Sequence, residues 1–351
     1  MRYEKGNNML FTDYYLKHIE NYLDEDDFMF LRKKSIMITG ATGMIGSALV
    51  DMLMLANQKY HLELCVYAIG RSNERADKRF AQFDYKKNEF IFIEHDIINP
   101  FDKKIKADFI VHAASNAYPA VFAKYPVETM LSNFYGTYYL LEKARQWEAA
   151  FLFISSGEIY GELTKDIKNE DDYGFVDSMN VRSCYPNSKR AAETLCVSYA
   201  YEYGARTLVA RPSHVYGPTM TESDNRASSE FIRAGVLKKD IIMNSAGMIL
   251  RSYTYVFDAC LGILKILENG ISANAYNIAD ENKAVYIRDF AEFVAKDAKV
   301  DVIKKVNKAY VGATNISRQV MSGVKLKQLG WKCKYNVAEG IKETLLCLEQ
   351  S

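Results

Sequence analysis

From Ser35 onward, short apolar runs alternate with longer stretches of helical periodicity. Runs that are apolar throughout are typical of strands buried on both faces of a parallel sheet. Six such runs follow one another along the chain: SIMITG, ELCVYAIG, FIFIEHD, DFIVHAA, AFLFISS and TLVARP. The stretches between them predict helices that cross from one strand to the next with right-handed connections. The pattern therefore predicts a doubly wound α/β domain with a parallel sheet.

Two regions flank this alternation. Residues 12–32 carry apolar and charged positions at helical spacing, which predicts one or two amphipathic helices forming a packing extension. After Arg211 the segments become mixed: a polar loop (TMTESDNRASSE), a helix near 229–237, short strands and a closing helix (VAEGIKETLLCLE). We predict a helical extension over 1–33, the sheet domain over 34–211 and a smaller mixed α/β lobe over 212–351, parts of which can return to the sheet domain. The active site is expected in the cleft between them.

Composition excludes several classes of protein. The chain has 351 residues, 49% of them hydrophobic and 25% charged, as expected for a soluble globular protein. A net charge of +1 offers no broad field for nucleic acid or an anionic membrane, and no run of about 18 apolar residues predicts a membrane span. The five histidines lack metal-ligand spacing, so no metal is expected. The six cysteines include no C-x-x-C pair, and the sequence begins without an apolar signal segment. Both features favour the cytoplasm.

A glycine motif follows the first predicted strand. SIMITG runs directly into Gly40-Ala-Thr-Gly43-Met-Ile-Gly46, and a helical stretch comes next. Glycine at these positions allows a tight turn, lets the backbone approach a pyrophosphate and packs the helix, whose N-terminus faces the anion, close to the strand. This context favours a dinucleotide-binding loop over a purely structural turn. The residues expected to line the cofactor there are Gly40, Thr42, Gly43, Met44, Ile45 and Gly46.

The spacing G-x-x-G-x-x-G resembles that of the short-chain dehydrogenase/reductase superfamily, which implies a Rossmann fold and an NAD(P) cofactor. An NAD enzyme usually places Asp or Glu after the second strand, but this chain has Gly70-Arg71-Ser72. Arg71 could instead hold a 2′-phosphate, which favours NADP, or it is a solvated loop residue. The resemblance implies further cofactor contacts at the ends of later strands and on the helices: Asp96, Ile97, Ala113, Ala114, Asn133, Tyr185, Lys189 and Pro212.

The candidate chemistry comes after the fifth strand. It ends in Ser155-Ser156-Gly157-Glu158, and Tyr185-Pro-Asn-Ser-Lys189 follows at the start of a predicted helix, with Pro186 suited to its first position. A four-residue step places Tyr185 and Lys189 on one face, where the ammonium is expected to lower the pKa of the phenol and make it a usable base. Together with Ser156 this is the Ser-Tyr-Lys constellation of that superfamily. Y-x-x-x-K alone is common by chance, so the order of motifs carries the prediction.

Further motifs resemble the extended branch of the superfamily, the NAD(P)-dependent nucleotide-sugar epimerases, dehydratases and decarboxylases. They are NFYGT at 133–137, RPSHVYGP at 211–218 and RSYTYVFD at 251–258. The stretch from Arg182, RSCYPNSKRAAETL, is most similar to UDP-glucuronate decarboxylases, and Glu158 fits a base. By the resemblance, the substrate contacts are Ser115, Phe122, His214, Arg226 and Arg251, and the catalytic residues are Ser156, Glu158, Tyr185 and Lys189.

Three positions depart from the family pattern. Gly157 stands where dehydratases have Asp and decarboxylases have Ser, His214 replaces the Asn of N-V-Y-G-P, and Phe122 replaces a Tyr. We therefore expect a relative with an altered sugar. A lone histidine such as His214 is also commonly a loop residue with a satisfied hydrogen bond. Likewise, Arg226 and Arg251 could pair with phosphate or carboxylate, or form surface ion pairs.

The predicted reaction begins with oxidation at the sugar C4 to a 4-keto intermediate, followed by decarboxylation, epimerisation or dehydration, with the hydride then returned. Two alternatives remain open. If Arg71 selects NADPH, the protein could be a net reductase of a keto sugar or sugar phosphate, and a non-catalytic dinucleotide-binding module is the third hypothesis. A homodimer is expected from the resemblance, through helices near 127–146 and 185–203.

Overall fold

The computed structural model describes residues 12–80, 89–305 and 318–349. The strands, in chain order, are β1 Ser35–Thr39, β2 Cys65–Gly70, β3 Phe90–Glu94, β4 Phe109–His112, β5 Ala150–Ile154, β6 Ile167–Lys168, β7 Thr207–Pro212, β8 His214–Tyr216, β9 Ile241–Met243, β10 Leu250–Arg251, β11 Tyr253–Tyr255, β12 Asn274–Ile278, β13 Val285–Tyr286, β14 Val302–Lys304 and β15 Arg318–Met321. The α-helices are α1 Asp13–Glu20, α2 Met44–Tyr60, α3 Asn73–Phe80, α4 Pro119–Lys124, α5 Pro126–Trp147, α6 Cys184–Tyr203, α7 Ala227–Val236, α8 Val256–Asn269, α9 Ile287–Ala298, α10 Val324–Lys327 and α11 Val337–Glu349.

A seven-stranded sheet forms the centre of the molecule. Its order is β12-β7-β5-β4-β1-β2-β3, and every neighbouring pair is parallel. The six predicted strands are all present, and the predicted doubly wound fold is confirmed. The seventh strand, β12, lies in the range assigned to the second lobe, where a short mixed sequence (NAYNI) gave a weaker signal than the apolar runs. The strand order reverses at β1: β2 and β3 are added on one side of it, and β4, β5 and β7 on the other. Such a switch point opens a crevice at the carboxyl ends of β1 and β4.

Each central strand faces two cores, one on either side of the sheet. In β5, Phe151 and Phe153 pack with residues of α5 and α6, whereas Leu152 and Ile154 face the larger core that contains α2 and α8. All five residues of this strand are buried. Burial on both faces is the reason why the strand is apolar throughout rather than alternating. It also fixes the position of the residues that follow, Ser155 and Ser156.

The second lobe is built on small sheets and three helices. A four-stranded sheet has the order β13-β10-β15-β6, β8 pairs with β11, and β9 pairs with β14. The helices α7, α9 and α11 pack together beside these strands. Strand β15 lies between β10 and β6, so it brings the end of the chain back to the residues that follow β5.

The N-terminal extension packs onto the main body. Its predicted helix is α1, followed by two 3₁₀ turns at Glu25–Asp27 and Met29–Leu31. Helix α1 contacts α2 and α11, and the Tyr15 hydroxyl donates to the buried Asp51 of α2 at 2.5 Å. Residues 1–11 of the predicted extension lie outside the described residues. These contacts agree with the packing role expected for residues 12–32.

Candidate active site

The glycine loop joins β1 to α2 at the centre of the crevice. Gly40 has φ +67°, and a Cβ there would stand 2.8 Å from the backbone of Ala114. A Cβ on Gly46 would stand 2.3 Å from the carbonyl oxygen of Gly40, so only glycine lets the helix approach the loop this closely. Helix α2 starts at Met44 behind Gly43, without a side-chain cap. Its first N–H groups are thus suited to an anion such as a pyrophosphate.

A buried polar group lines the crevice beside the loop. Asn133 of α5 is fully buried, and its Nδ2 donates to the Ser188 hydroxyl at 3.0 Å. Its Oδ1 has no hydrogen-bond partner among the described residues. A buried acceptor without a partner is costly, which indicates that a ligand donor completes it. Together with the glycine loop, this atom fits the dinucleotide cofactor that the sequence predicts.

The other predicted cofactor residues lie at the same edge of the sheet. Asp96 follows β3 and accepts a hydrogen bond from the backbone N–H of Ile98 at 3.3 Å. Ile97 is buried against α5, where its Cδ1 would lie 2.7 Å from a Cβ on Gly136. The remaining residues lie in the glycine loop, in the first turn of α2, after β4 or at the end of β7: Thr42, Ile45, Ala113 and Pro212.

Arg71 leaves the end of β2 and forms an exposed ion pair. Its Nη1 lies 2.9 Å from Oε1 of Glu128, at the start of α5. The preceding residue, Gly70, lies close to β3: a Cβ there would be 3.1 Å from the Phe92 ring. Arg71 is therefore beside the crevice, with its charge partly compensated by Glu128.

The predicted catalytic residues come together where β5 ends and α6 begins. Helix α6 starts at Cys184, so Pro186 is the third residue of the helix. The prediction from the sequence, which put Pro186 at the first position, was wrong. Tyr185 and Lys189 are both buried, and Lys189 Nζ donates to the carbonyl oxygen of Ile154 at 2.8 Å. The ammonium lies 5.8 Å from the centre of the Tyr185 ring. Ser156, the second residue after β5, is close enough to Tyr185 to act on the pKa of the phenol.

The expected lowering of the Tyr185 pKa is not found in the structure. Burial, reinforced by the negative charge of Glu158, raises the pKa of Tyr185 to about 12, although Ser156 opposes the shift. Burial also lowers the pKa of Lys189 to about 7, with Glu193 acting in the opposite direction. The prediction was wrong because burial and the charge of Glu158 raise the pKa of Tyr185 by more than Ser156, Arg226 and Arg182 lower it.

A buried ion pair between Glu193 and Arg211 lies next to the candidate catalytic residues and supports the end of β5. Glu193 accepts two hydrogen bonds from Arg211, at 3.0 and 2.6 Å, and one from the Ser155 hydroxyl. Arg211 also donates to the Tyr160 hydroxyl at 3.1 Å and to the carbonyl oxygen of Glu170 at 2.7 Å. The sequence analysis did not identify Glu193. Its position four residues after Lys189 was the available signal, because it places both on one face of α6.

Opposite the cofactor crevice, Glu158 is held by an arginine. Arg182 Nη2 donates to both carboxylate oxygens of Glu158, at 3.1 and 2.9 Å. The same guanidinium lies over the Phe122 ring at 4.5 Å, and Phe122 in turn stacks on Tyr185 with the ring centres 5.2 Å apart. Phe122, Glu158 and Tyr185 are thus brought close together through Arg182.

His214 and Arg251 lie on neighbouring segments of the second lobe. His214 Nε2 lies 3.1 Å from Oε1 of Gln319, on β15. Burial, followed by the charges of Arg251 and Arg226, lowers the pKa of His214 to about 3, so the ring is neutral near pH 7. The Nε of Arg251 is buried and has no hydrogen-bond partner among the described residues. This atom is available to an anionic or carbonyl group of a ligand.

Arg226 differs from Arg251 because its charge is already compensated. Its guanidinium forms a two-point pair with the fully buried Asp224, with Nε to Oδ1 at 2.9 Å and Nη2 to Oδ2 at 2.5 Å. Its Nη2 also lies 3.5 Å from the sulfur of Met44, at the glycine loop. Ser115, the last predicted substrate contact, follows β4, and its buried hydroxyl has no partner among the described residues.

Gly157 lies between Ser156 and Glu158 in the turn after β5. A Cβ at this position would be 2.6 Å from the sulfur of Met321, the last residue of β15. The sequence analysis identified Gly157 as a departure from the family pattern but identified neither Met321 nor Gln319. Both lie more than 100 residues away along the chain, and no local motif connects them with the positions that they contact.

Comparison with known proteins gives the family. The model of the NAD dependent epimerase/dehydratase family matches residues 36–279, which is more than half of the chain. The chain belongs to this family. UDP-glucuronic acid decarboxylase 6 of Arabidopsis thaliana is 30% identical over 89% of this chain and 88% of its own length. UDP-glucuronic acid decarboxylase 1 of Xenopus tropicalis is 28% identical over 92% of this chain and 73% of its own.

Solved structures share the fold at lower identity. UDP-glucose 4-epimerase of Thermotoga maritima, solved with UDP-glucose, has a TM-score of 0.74 at 22% identity, covering 89% of this chain and 98% of its own. DesIV, a dTDP-glucose 4,6-dehydratase of Streptomyces venezuelae solved with NAD, has a TM-score of 0.75 at 20% identity, covering 89% and 96%. The predicted family resemblance is therefore confirmed, and the chain is an NAD(P)-dependent enzyme of the nucleotide-sugar epimerase, dehydratase and decarboxylase class.

Proposed function

We propose that this enzyme oxidises C4 of the sugar in a nucleotide sugar and later returns the hydride to the sugar, so that no net oxidation occurs. The observation that carries the proposal is the placement of Tyr185 and Lys189 together at the start of α6, with Ser156 following β5 beside them. A sugar hydroxyl placed there meets a proton carrier and a hydrogen-bonding hydroxyl together. The bound nicotinamide supplies a hydride acceptor and a positive charge.

Tyr185 is the group that moves the proton of the C4 hydroxyl. In the oxidation, the C4–H bond breaks as a hydride, the hydroxyl proton passes to Tyr185, and the carbinol becomes a ketone. In the return step, Tyr185 gives a proton back to the oxygen. With its pKa raised to about 12, Tyr185 is protonated near neutral pH, which suits the return step directly. The oxidation requires the phenolate form of Tyr185, and Ser156 and Arg226 keep its pKa lower than burial and Glu158 alone would set it.

The 4-keto group acidifies the neighbouring carbons, which opens two outcomes. Glu158, held by Arg182, is placed to move a proton at such a carbon, as in epimerisation. If the sugar carries a carboxylate at C5, the ketone weakens the bond to that group, and decarboxylation follows. The relatives named above as UDP-glucuronic acid decarboxylases favour such a reaction. Gly157 offers no acid for elimination of water, so dehydration is disfavoured.

The diphosphate of the substrate is expected along the second lobe. Arg251 has an unpartnered buried Nε, so its charge is available to an anion. Arg226 is neutralised by Asp224, and we assign it a positioning role between Met44 of the cofactor loop and the ring of Tyr118, which it covers at 5.7 Å. From the sequence alone, Arg226 and Arg251 are equivalent candidates for pairing with a phosphate or carboxylate of the substrate.

NADP is the proposed form of the cofactor. No carboxylate follows β2, and Arg71 is the residue there that can reach a 2′-phosphate. Its present partner, Glu128, forms only an exposed ion pair with it, and such pairs contribute about 0–1 kcal/mol, so a phosphate can displace it. The RMD protein of Pseudomonas aeruginosa, with a TM-score of 0.68 at 22% identity and coverage of 90% of this chain and 99% of its own, was solved with NADPH.

A homodimer is proposed through α5 and α6, which pack against each other. Their outward side exposes large apolar side chains: Val127, Met130, Leu131, Phe134, Tyr135, Tyr138, Val197, Tyr201 and Tyr203. An exposed apolar surface of this extent is typical of a protein interface. The cytoplasm is the proposed location, because no C-x-x-C pair occurs in the sequence and no apolar signal segment begins it. No helix among the described residues could cross a membrane.

The test is incubation of the purified enzyme with UDP-, dTDP-, CDP- and GDP-sugars, with product identified by mass spectrometry and the reduced-nicotinamide absorbance followed. Product without net change in absorbance is expected, and Tyr185→Phe should form product at least about 100-fold more slowly while still binding the cofactor. Stoichiometric consumption of NADPH would contradict the proposal and identify a reductase. Absence of any product, with equal cofactor binding by wild type and Tyr185→Phe, would instead indicate a non-catalytic dinucleotide-binding module.

A further inference from the structure

The ion pair between Arg182 and Glu158 joins two capped turns of the candidate site. Glu158 lies in the 3₁₀ turn that follows β5, and its N–H donates to the Ser156 hydroxyl at 3.2 Å. Arg182 lies in the 3₁₀ turn that precedes α6, and its N–H donates to the Asn180 side chain at 2.9 Å. Side-chain caps of this kind satisfy backbone groups that a turn leaves open. The backbone at both ends of the ion pair is therefore fixed.

Arg182 is also linked to Tyr185, through one aromatic ring. Its guanidinium lies 4.5 Å from the centre of the Phe122 ring, and that ring is nearly parallel to the Tyr185 ring, with 15° between the planes and 5.2 Å between the centres. The Cys184 thiol lies 3.6 Å from the carbonyl oxygen of Phe122 and helps to hold this residue. A continuous series of contacts thus runs from the partly exposed Glu158 carboxylate, through Arg182, to the buried phenol.

The ion pair acts more on Tyr185 than on the stability of the fold. The Arg182 and Glu158 side chains are 44% and 32% exposed, and exposed ion pairs contribute little to folding because water screens them. A charge acts more strongly on a buried group such as Tyr185, since the dielectric around it is low. The negative charge of Glu158 raises the pKa of Tyr185, and the positive charge of Arg182 lowers it. Arg182 thus offsets a charge that keeps the proton on the phenol.

We propose that Arg182 is a positioning residue, which holds the Glu158 carboxylate in place and offsets its negative charge, so that this carboxylate does not hinder the oxidation at C4 by Tyr185. This inference rests on the proposed function, in which Tyr185 moves the proton of the C4 hydroxyl and Glu158 moves a proton at a neighbouring carbon. The second step needs a carboxylate, but an uncompensated carboxylate slows the first step. Arg182 allows both groups to act on one bound sugar.

Two variants separate charge from structure. Arg182→Lys keeps the positive charge but loses the planar fork, and it should oxidise C4 within about 3-fold of the wild-type rate. Arg182→Lys as slow as Arg182→Gln contradicts the offset of charge by Arg182. Should Arg182→Gln fold poorly, Arg182→Met removes the same charge and replaces it in the experiment below.

Arg145→Gln is the matched control. Arg145 Nη2 lies 2.9 Å from Oε2 of Glu142, and its guanidinium lies 5.1 Å from the centre of the Tyr203 ring, so it makes the same two kinds of contact as Arg182. It lies in the last turn of α5, which leads into β5, and is therefore at the edge of the sheet opposite the crevice. This variant should oxidise C4 at the wild-type rate.

The closing experiment measures the rate of C4 oxidation, because this step involves Tyr185 and not the proton transfer by Glu158. The enzyme with its oxidised cofactor is mixed with whichever of UDP-glucose, UDP-glucuronate, dTDP-glucose, CDP-glucose and GDP-mannose binds best, and the rise of the reduced-nicotinamide absorbance is followed. Arg182→Gln should slow this rise about 3- to 10-fold, as expected for the loss of one charge near a titratable group. Glu158→Gln should not slow it, although product formation should fall.

The double variant decides the matter. In the Glu158→Gln background, Arg182→Gln should change the oxidation rate by less than about 2-fold, because no carboxylate is left to offset. Equal slowing in both backgrounds, or no slowing in the wild-type background, overturns the inference, while the absorbance rise in the wild type leaves the proposed function intact. If no sugar of the set produces a rise in the wild type, the proposed function fails, and the inference fails with it.

Discussion

The nucleotide end and the sugar end of the crevice are constrained in different ways. At the nucleotide end, Gly40 and Gly46 are required by backbone atoms that lie within six residues of each other or across one neighbouring strand. At the sugar end, Gly157 is opposed by the flexible side chain of Met321, and His214 depends on Gln319, both from a strand more than 100 residues away. The first end is therefore fixed locally, whereas the second is fixed by long-range pairs of side chains that can change together.

This difference determines which of the two ends a pair of substitutions can change. A backbone obstacle cannot be removed by a second substitution, so the glycine loop has a single workable pattern. A side-chain obstacle can be exchanged, so position 157 is free to differ when position 321 differs with it. The candidate catalytic residues, Tyr185 and Lys189, lie between the two ends. They take part neither in the backbone contacts of the glycine loop nor in the long-range side-chain pairs.

The largest effect, a loss of turnover, is expected from substitution of Tyr185, which lies where the two ends meet. Tyr185→Phe removes the proton carrier and should lower turnover by about 10²- to 10⁴-fold, the range of general acid–base catalysis. Cofactor affinity, measured by calorimetry, should change by less than about 3-fold, because the nucleotide end is untouched. A variant that retains more than a tenth of the wild-type turnover would show that another group moves the proton.

The buried ion pair between Arg211 and Glu193 should contribute the most to the free energy of unfolding. Arg211→Met leaves Glu193 buried without its partner and should lower the free energy of unfolding by about 3–5 kcal/mol in urea titrations. The double variant Glu193→Gln with Arg211→Met should recover part of this loss, since no uncompensated charge remains. A single variant that is as stable as wild type would contradict the assignment of this pair as a structural brace.

Alanine at the two kinds of glycine separates the two constraints directly. Gly46→Ala and Gly157→Ala should each destabilise by about 1–3 kcal/mol through overpacking. Met321→Ala removes a buried side chain and is destabilising by itself, so the Gly157→Ala change is compared in the wild-type and in the Met321→Ala background. Gly157→Ala should cost less in the Met321→Ala background, because the opposing sulfur is gone, whereas the cost of Gly46→Ala should be the same in both backgrounds. An equal cost of Gly157→Ala in both backgrounds would contradict the comparison.

The pH dependence of stability reports on Lys189. Its pKa in the folded chain is lowered to about 7, below the value of an unfolded lysine, so the unfolded state binds more protons between these two values. Stability should therefore rise with pH from about 7 towards 10, by up to about 1.4 kcal/mol per pH unit from this group. Lys189→Met should flatten that rise in unfolding titrations of the cofactor-free protein. If the free energy of unfolding rises equally with pH in the wild type and in Lys189→Met, then Lys189 keeps its ordinary pKa in the folded chain.

The smallest effect on stability is expected at Arg71, at the outer rim of the nucleotide end. Arg71→Ala loses one exposed ion pair and should change the free energy of unfolding by less than about 1 kcal/mol. The preference for NADPH over NADH should nevertheless fall by about 10-fold, since a charge-assisted contact to the 2′-phosphate is lost. An unchanged preference would show that Arg71 only pairs with Glu128.

Much of the nucleotide end could be predicted from the sequence, because its signals are local. The apolar runs predicted six strands, and the glycine motif placed the loop between β1 and α2. The pairing of Arg182 with Glu158, of Gln319 with His214 and of Met321 with Gly157 could not be predicted, since each pair is brought together only by the folded chain. The pKa of Tyr185 was predicted in the wrong direction because the burial of its side chain, which raises the pKa, cannot be inferred from a local motif.

Single-turnover kinetics with a C4-deuterated nucleotide sugar test the central claim most directly. The enzyme carrying its oxidised cofactor is mixed with the best-binding sugar, in protonated and C4-deuterated form, and the reduced-nicotinamide absorbance is followed. The account predicts a transient rise that is slower with the deuterated sugar, decays as product forms and is absent in Tyr185→Phe. Product formation at the same rate from both sugars, with no transient, would contradict oxidation at C4.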